Sequence, residues 1–117
     1  MQDKYITVGE KEIHFKSTGS TPRIYRFTFG KDLFSDMQKI VITDGEEMPP
    51  EAMEIFENIA YVMAKHGAMA DGKEKDFPKT VDEWLDGFDT MEFYTTLPEI
   101  VELWSDNVQQ KSTSKKK

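Results

Sequence analysis

The chain has no cysteine, which excludes a disulfide framework and any thiolate metal site. Only two histidines are present, His14 and His66. Neither has a second His or Cys at i+3 or i+4, the spacing that metal ligation favours, so both read as surface or capping residues. No stretch approaches the roughly 18 apolar residues of a membrane span, and the opening MQDKYITVGEKE has no apolar run of the signal-peptide kind. A nucleophile elbow, a phosphate-binding glycine loop and a paired-acid motif are also missing. On residue chemistry an enzyme is not expected, nor is a cofactor or a metal.

What is present suffices for one domain. The chain has 117 residues, of which 38% are hydrophobic and 32% charged, enough for a single modest core. The net charge of −7 is uneven. Residues 1–43 carry seven Lys/Arg against five Asp/Glu, residues 44–106 carry four against seventeen, and the segment from Asn107 carries four Lys and no acid. An acidic body of net −13 argues against nucleic acid, whose phosphates need a cationic face. The plain alternative is an acidic surface that only confers solubility.

The longest periodic stretch is PPEAMEIFENIAYVMAKHG, residues 49–67. Ala52, Ile55, Phe56, Ile59, Val62 and Met63 recur at helical spacing, with Glu51, Glu54, Glu57 and Asn58 opposite. Pro50 suits a first turn, where its missing N–H has no partner to lose. The pattern predicts a central helix buried along one face, ending at a left-handed Gly67 or running on to Gly72.

Before it, residues 4–8 and 11–16 alternate around Gly9-Glu10, which predicts a β-hairpin with a tight turn. Its apolar face, Ile6, Val8, Ile13 and Phe15, must lie on helices, because an isolated hairpin is marginal. Ser20 or Thr21 can cap a helix with Pro22 in its first turn and Gly30 at its end. A second short helix follows from about Asp32, carrying Leu33, Phe34, Met37 and Ile40. Val41-Ile42-Thr43 reads alternatively as a third strand, and Asp44-Gly45 as a turn.

After the central helix, Asp71–Lys79 reads as a surface loop. Thr80 with Glu83 forms a capping-box pattern ahead of Val81, Trp84, Leu85 and Phe88. The last periodic segment places Phe93, Leu97, Ile100, Val101, Trp104 and Val108 on one stripe. Pro98 inside it predicts a kink or a fresh helix start near Leu97. The expected fold is mainly α (α+β), with an N-terminal hairpin packed on a small bundle of four to five helices. Residues 1–109 form the domain, and 110–117 form a disordered Lys-rich tail.

Two clusters have a functional and a plain reading. Asp82, Glu83, Asp86 and Asp89 offer oxygens to a cation, but lack the alternation of a calcium loop and fit a solvated helix face better. The seven methionines suit an adaptable binding surface or, more commonly, gaps in a core. The final stripe either completes the core against the central helix or leaves a groove open for a partner helix.

The order of segments resembles a known family. A hairpin is followed by TPRIYRFTFGKDLFSDMQKI, EIFENIAYVMAKHG, TVDEWLDGFD and LPEIVELW. This is similar to the small tail assembly chaperones of long-tailed phages and prophages of Gram-positive bacteria, over nearly all of residues 5–105. The resemblance implies a non-enzymatic protein that binds the tape measure protein and keeps it soluble in the host cytoplasm until major tail protein polymerises around it. It also implies self-association, absence from the mature virion, and the major tail protein as a further candidate partner. Neither nucleic acid nor membrane is expected as a partner. Within that reading, Phe93, Leu97, Val101 and Trp104 are the candidate partner contacts. The alternative is a structural tail or head-completion component that stays in the virion. Genes of this family often carry a ribosomal frameshift near their end. Lys115–Lys117 fits an adenine run of that kind, or else a solubilising tail or cloning remnant.

Overall fold

The computed structural model describes residues 2–38 and 50–115. Among them are two strands and five α-helices: β1 (Gln2–Val8), β2 (Lys11–Ser17), α1 (Thr21–Phe29), α2 (Leu33–Gln38), α3 (Pro50–Ala70), α4 (Val81–Leu85) and α5 (Thr90–Lys115). This is the α+β arrangement predicted, a hairpin packed on helices. The alternative strand at Val41–Thr43, the turn at Asp44-Gly45, and Ile40 lie outside the described residues.

The hairpin pairs antiparallel from Gln2↔Ser17 to Val8↔Lys11, leaving Gly9-Glu10 as a two-residue loop. Gly9 takes φ +64° while Glu10 does not, as a type II′ turn requires. Alternation then sends Ile6, Val8 and Phe15 into the core and leaves Tyr5 half exposed on the other face. Strand β2 lies on α3 and β1 on α5.

Helix α1 begins with Ser20 at the capping position, but the Ser20 side chain makes no cap bond. Thr18 and Thr21 organise the entry instead. The Ser20 amide donates to Thr18 Oγ1 at 2.9 Å, and the Thr18 amide donates to Thr21 Oγ1 at 3.0 Å. Gly30, at φ +68°, closes the helix. Asp32 caps α2 by accepting from the Ser35 amide at 3.1 Å. The two short helices are tied by a buried bond, Tyr25 Oη donating to Asp36 at 2.9 Å. Burial, and then that bond, hold the Tyr25 phenol above its ordinary pKa.

Helix α3 departs from the one-sided helix expected. All six residues from Ile59 to Ala64 are buried, so every side of its middle is covered. The hairpin, α1, α4 and α5 all pack against it. The helix runs past Gly67 and stops at Gly72, φ +74°. There the Lys73 amide donates to Ala68 O at 2.8 Å and the Gly72 amide to Met69 O at 3.2 Å, the paired bonds of a Schellman motif. Gly67 has a different role: a Cβ there would collide with the backbone carbonyl of His14. The missing side chain is what lets β2 press against the helix.

Past a 3-10 turn at Glu74–Asp76, Thr80 caps α4 by accepting from the Glu83 amide at 3.1 Å. The one buried residue of that short helix, Trp84, is the hub of an aromatic cluster. It meets Phe15, Tyr61, Phe77, Phe88 and Phe93 at centroid distances of 5.1 to 6.5 Å. Helix α5 runs unbroken from Thr90 to Lys115, so the fresh start considered at Leu97 does not occur and Pro98 sits inside it. Its backbone is helical through 110–115, where the sequence predicts the disordered tail to begin.

Candidate functional site

The four candidate contacts separate in space. Phe93, Leu97 and Trp104 are buried in the core, leaving at most 5% of their surface exposed. Phe93 packs on Trp84 and Tyr94, and Trp104 lies beneath the half-exposed ring of Phe34 at 5.8 Å. For these residues the stripe completes the core. Val101 is half-buried, and with the edge of Leu97 it reaches a groove.

This groove runs between the N-terminal half of α3 and the middle of α5, with a volume near 480 Å³. Met53 and Phe56 from α3, and Leu97, Pro98 and Val101 from α5, form its apolar lining. Tyr94, Glu102, Ser105 and Asp106 supply the polar groups. The positions contributed by α5, 94, 97, 98, 101, 102, 105 and 106, are one helical stripe. From Tyr94 to Asp106 it extends about 18 Å at ~1.5 Å per residue. Pro98 contributes its ring to the wall and cannot donate to the Tyr94 carbonyl one turn back.

Tyr94 fixes one side. Its hydroxyl donates to Glu57, bridging α5 to α3. That bond, with burial adding to it, raises the Tyr94 pKa to about 12, so the phenol stays protonated and holds the bridge at neutral pH.

A second cluster surrounds His14. Its Nδ1 lies 3.1 Å from Asp71 Oδ2, its Nε2 bonds Asp3, and its ring stacks on Tyr5 at 4.3 Å. The side chain is only 9% exposed, so this is not the plain surface histidine the sequence suggests. Burial pulls its pKa down, but the bonds to Asp3 and Asp71 outweigh burial and hold it above the ordinary value. His66 goes the other way: burial first, then Lys16 and His14, lower its pKa. The His66 Nδ1 is buried without a bonding partner among the described residues. Neither the alternation nor the spacing of single residues signals the His14 cluster, because Asp71 lies 57 residues from His14.

Among the described residues, no group of three or more His, Asp or Glu converges as a metal site. Asp82, Glu83, Asp86 and Asp89 are all exposed around α4, the solvated face favoured from their spacing. No helix among the described residues is long and apolar enough to cross a membrane. No protein family's sequence profile, no characterised protein and no solved structure matches this chain.

Proposed function

We propose that this protein is a non-enzymatic assembly chaperone that covers apolar stretches of a helical client, the tape measure protein of a long-tailed phage. The observation that carries the reading is the groove between α3 and α5, an apolar trough about three turns long on a chain of net charge −7. An extended helical client presents apolar stripes along its length, and a trough of this kind accepts one stripe by helix-in-groove contact. Several copies side by side gain avidity and can be removed one at a time as major tail protein polymerises. The acidic surface then keeps coated filaments apart. The place of action is the host cytoplasm, with no copy retained in the mature virion.

Co-expression with the tape measure protein of the same locus tests the reading. The client should be recovered in the soluble fraction with the wild-type chaperone and lost from it with Val101→Asp. Leu97→Asp is a poor probe, because Leu97 is only 3% exposed and a charge there unfolds the domain. Equal insolubility with and without the protein overturns the proposal. So does recovery of the protein from purified virions by mass spectrometry, which marks a structural tail or head-completion component.

A further inference from the structure

The two helices that wall the groove share one electrostatic feature. From Pro50 to Ala64, α3 carries Glu51, Glu54 and Glu57 and no Lys or Arg. From Thr90 to Asp106, α5 carries Glu92, Glu99, Glu102 and Asp106, again with no Lys or Arg. Lys4 of β1 lies 3.5 Å from Glu99, on the hairpin side of α5. The groove's own lining brings Glu102 and Asp106, both exposed, to the edge of the apolar floor, and no described lining residue is cationic. Glu57 stands on the same side, bonded to Tyr94. The floor is therefore apolar, and among the described residues every charge lining the groove is negative.

We infer that the groove receives an amphipathic helix of a partner protein whose apolar stripe is flanked by Lys or Arg. This rests on the chaperone reading and adds the chemistry of the client segment. Leu, Ile or Phe at i, i+3 or i+4, and i+7 of the incoming helix fill the floor between Met53, Phe56 and Val101. Cationic side chains along the flank that faces α5 meet Glu102 and Asp106, and their aliphatic stems cover the rim of the trough. Like charges at the same positions would face several carboxylates within a screening length of about 8–10 Å, so an acid-flanked helix of equal hydrophobicity is rejected. The Lys-rich end of a second copy does not fit this role. Residues 109–117, QQKSTSKKK, bring charge but no apolar residue for the floor.

The test uses two synthetic 18-residue peptides with one Leu/Phe stripe in common, flanked by Lys in one and by Glu in the other. Each is fluorescently labelled and titrated with the full chain by anisotropy. At low ionic strength the Lys-flanked peptide should bind at least tenfold more tightly, and the ratio should shrink toward one in 0.5 M salt. Glu102→Gln with Asp106→Asn should remove most of the preference, and Val101→Asp should weaken both peptides; circular dichroism confirms that each variant is folded. Equal binding of the two peptides to the wild-type chain overturns the inference and leaves the chaperone reading standing. Binding of neither overturns both. A Lys preference that survives Val101→Asp unchanged places the contact elsewhere and overturns the inference. So does a wild-type dimer that Val101→Asp converts to monomer, because a second copy then fills the groove.

Discussion

At the scale of single residues, His14 is the most informative side chain. A neutral imidazole donates from one nitrogen only, and carboxylates only accept, so bonds to both Asp3 and Asp71 require the imidazolium. Its pKa is raised in the fold. The stabilisation is thus complete below the ordinary value of about 6.5 and is lost as pH rises through the raised one. Tyr5 stacks on the ring, and burial is what opposes protonation there. His66, with its lowered pKa, has the opposite sign: stability falls as pH drops from the ordinary value toward the depressed one. Replacing His14 with Gln should cost about 1–2 kcal/mol near pH 6.5 and much less at pH 9, measured by urea unfolding. An equal loss at both pH values would show that the bonds do not depend on protonation. Gly67→Ala is a second test. In an open helix the change gains up to ~1 kcal/mol, but here the methyl meets the His14 carbonyl, and a loss of about 2–3 kcal/mol is expected. Gly19→Ala, with nothing within 4 Å, is the control. The sequence marks Gly67 as a possible cap, because glycine near the end of a periodic run usually is one. Its actual role depends on a strand 53 residues away, which no local pattern records.

At the scale of elements, periodicity placed the hairpin and the long helices well. Alternation in residues 4–8 and 11–16 identified the core face of β1 and β2, where Ile6, Val8 and Phe15 are buried, but not the shielding of His14 on the opposite face. The same logic underestimated α3. Tyr61 and Ala64 look like flank residues on a helical wheel, yet they are sealed by α4 and the hairpin. Of the two outcomes read at Pro98, the fresh start does not occur; packing of Leu97, Ile100 and Trp104 on both sides carries the helix through. Pro98→Ala returns an N–H to the Tyr94 carbonyl and should stabilise the chain by about 1 kcal/mol or more, read as a higher urea midpoint. It also removes part of the groove wall, so tighter folding should accompany weaker client binding. Helix α4 is five residues long and depends on its single anchor. Trp84→Phe leaves a partial void in the cluster of five rings and should cost about 2–3 kcal/mol by the same measurement.

At the scale of the whole molecule, the groove was foreshadowed only as an open question. The stripe of α5 contains both its floor and the core, and residues three apart, such as Val101 and Trp104, end in different settings according to what stands opposite. The excess of acids from 44 to 106 was plain from composition, but its concentration along the groove walls needed α3 and α5 side by side. That charge opposes contact between copies. Sedimentation velocity should therefore show a larger average mass as salt rises from 50 mM to 0.5 M and repulsion is screened. A mass that stays constant would remove the avidity part of the proposed function.

The two tryptophans give the molecule its own optical readout. Trp84 sits among rings at the hairpin end, and Trp104, next in the chain to the groove-lining Ser105, packs with Phe34, about 16 Å along α5 from Phe93. Both indoles are shielded from water, so the native emission maximum is blue and moves red on denaturation. With Trp84 changed to Phe, the remaining emission reports the groove end alone. An occupant entering the trough would be visible from within, without any dye attached.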